Sequence, residues 1–155
     1  MKKRELYNEL MRQARGLFDG ENDVIANAAN LSALIWQGLP DLNWAGFYFL
    51  KDDELVLGPF QGKPACVRIA MGKGVCGTAA ARAETIIVPD VHAFAGHIAC
   101  DSASNSELVV PLAKRDRIVG VLDLDSPSFG RFDAEDATGL EALAELWVAA
   151  CDFAS

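Results

Sequence analysis

The segment IVGVLDLD, residues 118–125, constrains the fold more than any other part of the chain. Successive side chains of a β-strand alternate between its faces. Leu122 and Leu124 therefore share one side, while Val121, Asp123 and Asp125 share the other. Such a strand needs a packed apolar layer beneath it and a polar space above. The preceding β-prone segment, 106–113, joins it through Lys114-Arg115-Asp116. A hairpin that tight returns Glu107 to the Asp123–Asp125 end. Either the three acids converge, in which case repulsion raises at least one pKa unless a cation or hydrogen-bond donor intervenes, or they form a solvated strand end.

The remaining pattern supplies the layers. Leu6, Tyr7, Leu10, Ala14, Leu17 and Phe18 recur at helical spacing over residues 2–18. Val24, Ile25, Ala28, Leu31, Leu34 and Ile35 do the same over 23–36, before Gly38-Leu39-Pro40. The aromatic run WAGFYFL predicts a strand over 43–51, with Trp44, Gly46 and Tyr48 on one face, as core or as an aromatic wall. Lys51-Asp52-Asp53-Glu54 turns it into a second strand, 55–60, and a third follows at 65–70. The glycines of Met71–Thr78 suit a tight turn opening a short helix, 76–82. A short strand is expected at 85–88, then a polar loop at 89–105. Asp133-Ala134-Glu135-Asp136 reads as the cap of a last helix, 134–153. This order predicts one α+β domain over residues 1–155. A mostly antiparallel sheet of about six strands would carry the N- and C-terminal helices on one face, and the small helix and long loop on the other.

Composition narrows the chemistry. With 51% hydrophobic and 23% charged residues, the chain reads as a soluble globular protein, and its formal net charge of −8 disfavours nucleic acid and anionic membrane as partners. The basic N-terminus is followed by no apolar stretch of the signal-peptide kind, and no apolar run approaches the roughly 20 residues that span a bilayer. The expected compartment is the cytoplasm, where thiols stay reduced. Cysteines 66, 76, 100 and 151 then read as metal ligands, catalytic groups or buried side chains. Cys151, in the apolar last helix, suits simple burial. The loop PDVHAFAGHIACDSASNSE holds both histidines, His92 and His97, and Cys100. Ordered loops longer than about 12–15 residues are usually functional. A zinc site from Cys66, Cys76, His92, His97 and Cys100 is disfavoured, because the intervals contain no CxxC or HxxxH pair. Burial of the thiols, or a cycle of thiolate attack, sulfenic acid and resolution by a second thiol, both remain open on spacing alone.

The pieces NWAGFYF, GPFQGKPACVRIAMGKGVCGTA, VPDVHAFAGHIACDSASNSELVVPL and GVLDLDSP resemble a GAF-domain protein, specifically the free methionine-(R)-sulfoxide reductase family. The resemblance runs from about residue 43 through the last helix. It implies a GAF-like fold with Cys100 as catalytic thiol, Cys66 as main resolving cysteine and Cys76 in a second disulfide exchange. It also implies that Glu107, Asp123, Asp125, Trp44 and Tyr48 bind the substrate, free methionine sulfoxide. Thioredoxin would be the external reductant, with no metal or organic cofactor, and the terminal helices would suit a homodimer. A ligand-sensing GAF module without catalysis is the competing reading. Backbone N–H groups near Gly74–Gly77 are expected to receive the substrate carboxylate. Carboxylates around a thiol raise its pKa, so activation of Cys100 calls on the substrate's ammonium group or on the loop histidines.

Overall fold

The structure, a computed structural model, describes residues 1–97 and 102–153. Its strands are β1 (Trp44–Lys51), β2 (Glu54–Gly62), β3 (Arg68–Ala70), β4 (Ile86–Val88), β5 (Ser106–Lys114) and β6 (Arg117–Ser126). They form a six-stranded sheet in the order β3-β2-β1-β6-β5-β4, and every pairing is antiparallel. Two three-stranded meanders are thus joined along the β1–β6 seam. Both two-residue hairpins, Asp52-Asp53 and Arg115-Asp116, place consecutive residues at positive φ. That backbone follows the right-handed strand twist and fixes the register of each pair.

Helices α1 (Lys3–Phe18), α2 (Val24–Gly38) and α4 (Ala134–Ala150) pack on one face, and α3 (Gly74–Arg82) on the other. Leu122 and Leu124 lie fully buried under the three long helices with Leu31, Ile35, Phe47 and Trp147. Val121 joins Tyr48, Val75 and Val109 in the smaller core beneath α3. The α+β layering expected from the alternation is therefore present. Among the described residues, no helix is long and apolar enough to cross a membrane.

Several local expectations change. The buried stripe of α1 is Tyr7, Leu10, Ala14 and Phe18, leaving Leu17 one residue off the stripe and 42% exposed. Ile25 lies in the first turn of α2, ahead of the Ala28–Leu31–Ile35 stripe, and is 56% exposed. β3 is three residues long, although Leu57 N–H still donates to Val67 C=O at 2.8 Å. The last helix ends at Ala150; Cys151 follows as its cap, buried, with Asn27 Nδ2 at 3.8 Å from its Sγ.

Asp136 ties the terminal helices together. Fully buried, it accepts from the Asp133 backbone N–H at 3.0 Å in a capping box, from Tyr7 Oη at 2.7 Å and from Lys3 Nζ at 2.7 Å, with Arg131 Nη1 at 3.4 Å. The close α1–α4 approach needs Gly139, where a Cβ would enter the Tyr7 ring. Removing this carboxylate orphans a buried hydroxyl and a helix-start N–H. Asp136→Ala should therefore cost roughly 2–4 kcal/mol in urea unfolding, against less than about 0.5 kcal/mol for Glu145→Ala on the exposed face.

Candidate active site

The pocket grows out of three neighbouring strands in register. Trp44 on β1 is opposite Asp125 on β6, which is opposite Glu107 on β5. One step along the sheet, Gly46, Asp123 and Val109 form the next row. Directly paired residues of an antiparallel sheet share a face. The acids from two strands and the aromatic groups of the third therefore project into the same space. Glu107 and Asp123 are 6% and 5% exposed, whereas Asp125 is half-buried. They are not a solvated strand end.

The aromatic wall is Trp44 and Tyr48, with Phe60 packed behind Trp44. Trp44 stacks on Tyr48 with centroids 5.8 Å apart and on Phe60 of β2 at 5.1 Å. Phe60 packs over Gly46, where a Cβ would come within 2.7 Å of the Phe60 Cα. The polar ends of the wall hold the chain outside the sheet. Trp44 Nε1 donates to Lys63 C=O at 3.2 Å, and Tyr48 Oη donates to Cys66 C=O at 2.8 Å. Residues 63–66 are thereby fastened along the pocket edge. Cys66 is half-buried there and disulfide-bonded, whereas Cys76 and Cys151 are free thiols. Cys100, the expected catalytic thiol, lies outside the described residues.

The start of α3 closes the other side through Lys73, Gly74, Val75 and Cys76. Gly72 and Gly74 adopt positive φ, and Gly72 N–H bonds Gly77 C=O at 2.8 Å, which makes the turn that the glycine spacing predicts. Cys76 is 5% exposed, with its Sγ 3.9 Å from Glu107 Oε2. Of the two loop histidines, His97 lines the pocket and is half-buried. His92 is exposed and bonds Asp90 through Nδ1 at 2.8 Å. The spacing of the Gly-rich turn does not reveal that Lys73, its lone cation, reaches the pocket. Ser104, which accepts from Asn43 Nδ2 at 2.9 Å, carries no signal among its small polar neighbours.

Burial decides the electrostatics. It pushes Glu107 well above the ordinary carboxylate range, with the Asp123 charge adding to it. It does the same to Asp123, reinforced by Asp125. The Cys76 thiol also rises, first by burial and then through Asp123 and Glu107. Tyr48 moves upward for the same first cause. His97 moves down, from burial and then from His92. Burial therefore favours the protonated forms of these deep groups. Asp123 Oδ1 is buried without a hydrogen-bond partner among the described residues. A pocket with buried acids, an aromatic wall, a cation and the N-terminus of a helix suits a small polar molecule carrying one apolar group.

Residues 28–150 match the family model described as GAF domain. The chain is 58% identical over 143 residues to the free methionine-R-sulfoxide reductase of Escherichia coli (strain K12), covering 92% of this chain and 87% of that protein. It superposes with a TM-score of 0.94 on the free methionine-R-sulfoxide reductase from Neisseria meningitidis in complex with its substrate, at 44% identity, covering 97% of this chain and 90% of that one. A putative GAF sensor protein from Burkholderia vietnamiensis gives the same TM-score, 0.94, at 60% identity, with coverages of 97% and 96%.

The raised carboxyls carry a stability signature. Their unfolded values lie near 4.5 and 3.8, below the folded ones, so the folded chain holds more protons once pH exceeds that range. This contribution is complete below the unfolded values and is lost as pH rises through the folded ones. The urea midpoint of Asp123→Asn should therefore fall less steeply between about pH 5 and about pH 8 than that of the parent.

Proposed function

This chain belongs to the free methionine-(R)-sulfoxide reductase family of GAF-domain proteins, and on that premise we propose that it reduces free L-methionine-(R)-sulfoxide with Cys100 as the attacking thiol. The observation that supports this most is the buried pair Glu107 and Asp123 beside an aromatic wall, where burial favours their protonated forms. A sulfoxide oxygen accepts hydrogen bonds and must take up protons to leave, and neutral buried acids supply both. The substrate methyl lies against Trp44 and Tyr48. Its ammonium pairs with half-buried Asp125, and its carboxylate turns to the first N–H groups of α3 and to Lys73.

In the proposed reaction the Cys100 thiolate attacks the substrate sulfur. The sulfoxide oxygen accepts two protons and departs as water, leaving a sulfur–sulfur bonded sulfonium. Water then attacks the Cys100 sulfur and breaks that bond, which releases methionine and leaves Cys100 as a sulfenic acid. The substrate sulfur gains two electrons and Cys100 loses two. The Cys66 thiol condenses with the sulfenic acid, expelling water and forming a disulfide, which thioredoxin reduces by dithiol exchange. The disulfide-bonded state of Cys66 supports its role as resolver. The raised thiol of buried Cys76 fits a later exchange, because thiolate is the exchanging form. Ion pairing of the substrate's ammonium with Asp125 removes a negative field from the attacking thiol, so that binding and activation are coupled. Recognition of both backbone charges also excludes sulfoxide within a peptide, where neither charge exists.

Thioredoxin-coupled NADPH oxidation tests the reading. Turnover is expected with the free R form, and little with the S form or with peptide-bound sulfoxide. Cys100→Ser should abolish it, and Cys66→Ser should reduce one equivalent of substrate without recycling. Asp123→Asn should lower kcat by roughly 10²–10⁴-fold, the range of a lost general acid. Full activity of Cys100→Ser rejects the proposal.

A further inference from the structure

The deep wall of the pocket also brings together, in one place, three side chains whose donor atoms form a metal-ligand set. Cys76 Sγ, a Glu107 carboxylate oxygen and an Asp123 carboxylate oxygen lie within 4.8 Å of one another. They come from three different elements, α3, β5 and β6, and each residue is more than nine-tenths buried. Asp123 Oδ1, inside this group, has no hydrogen-bond partner among the described residues. A buried acceptor without a partner is unfavourable, and a cation coordinated to it supplies one.

We propose that the reduced protein binds one borderline-soft divalent cation of the zinc class through Cys76, Glu107 and Asp123, as an inhibited state of the pocket. A thiolate among the donors selects against magnesium and calcium, which take oxygen ligands. Three protein ligands leave a fourth position, for water. Binding forms one metal–sulfur and two metal–oxygen bonds and releases the protons those groups carried. No oxidation accompanies it. Coordinated carboxylates have no proton to give. Metal occupancy and sulfoxide reduction therefore exclude each other, a consequence that rests on the function proposed above.

The test is a titration of the full-length protein with Co²⁺, after reduction by a non-chelating phosphine. The expected result is a thiolate-to-cobalt charge-transfer band saturating at one equivalent and displaced by Zn²⁺. The band should disappear in Cys76→Ser and persist in the Cys66→Ser/Cys100→Ser double variant. Asp123→Asn should weaken Co²⁺ binding at least tenfold. Far-ultraviolet circular dichroism checks the fold of each variant; should Cys76→Ser not fold, Cys76→Ala serves in its place. A band missing from the parent, surviving without Cys76, or lost in the double variant overturns the proposal. Free methionine sulfoxide should raise the Co²⁺ midpoint. A Cys76-dependent band with an unmoved midpoint supports the metal triad and counts against sulfoxide entering this pocket.

Discussion

The antiparallel register of β1, β6 and β5 is the constraint on which the rest depends. A slip of one residue along β6 would turn Leu122 and Leu124 toward the pocket and Asp123 and Asp125 toward the helices. Each fully buried large apolar side chain contributes about 1.5–3 kcal/mol, so Leu108, Leu122, Leu124 and Phe47 together outweigh the desolvation of two neutral acids at roughly 1–3 kcal/mol each. Apolar burial on one face thus holds the acids in a place that would be unfavourable to them alone. The upward shift of their carboxyls follows from position, and position follows from the leucines.

The aromatic groups also serve two ends. Trp44 and Tyr48 line the pocket while their polar tips hold residues 63–66 through carbonyl acceptors. The wall for an apolar substituent and the anchor for the Cys66 segment are therefore the same two side chains. A change at either should disturb both, so truncation alone does not separate the roles. Replacing Tyr48 by Phe keeps the ring and deletes only the anchor.

Much of this was legible because strand periodicity is a local property. Alternation in 118–125 separates Leu122 and Leu124 from Asp123 and Asp125, and the short turn after Lys114 brings Glu107 alongside them. Phe60 was less visible, since its part depends on the empty position at Gly46 across the β1–β2 pair. Lys73 and Ser104 depend on how α3 and the loop end meet the sheet, which no local pattern records. Leu17 and Ile25 show the opposite limit. Both satisfy a helical apolar pattern, yet each falls outside the stripe that meets the sheet. The split between the two histidines likewise comes from tertiary placement, not from residue type.

The seam between the meanders bears on synthesis. β1, the most aromatic strand, has β2 on one side but meets β6 only when residue 126 is available. From the end of β1 at residue 51, a ribosome adding about 5–20 residues per second needs roughly 4–15 s to deliver that partner. During that interval WAGFYFL is an open, sticky edge on a nascent chain. The arrangement that joins aromatic wall and acid row in the finished pocket makes the synthesis of residues 52–126 a period of exposure to misassociation.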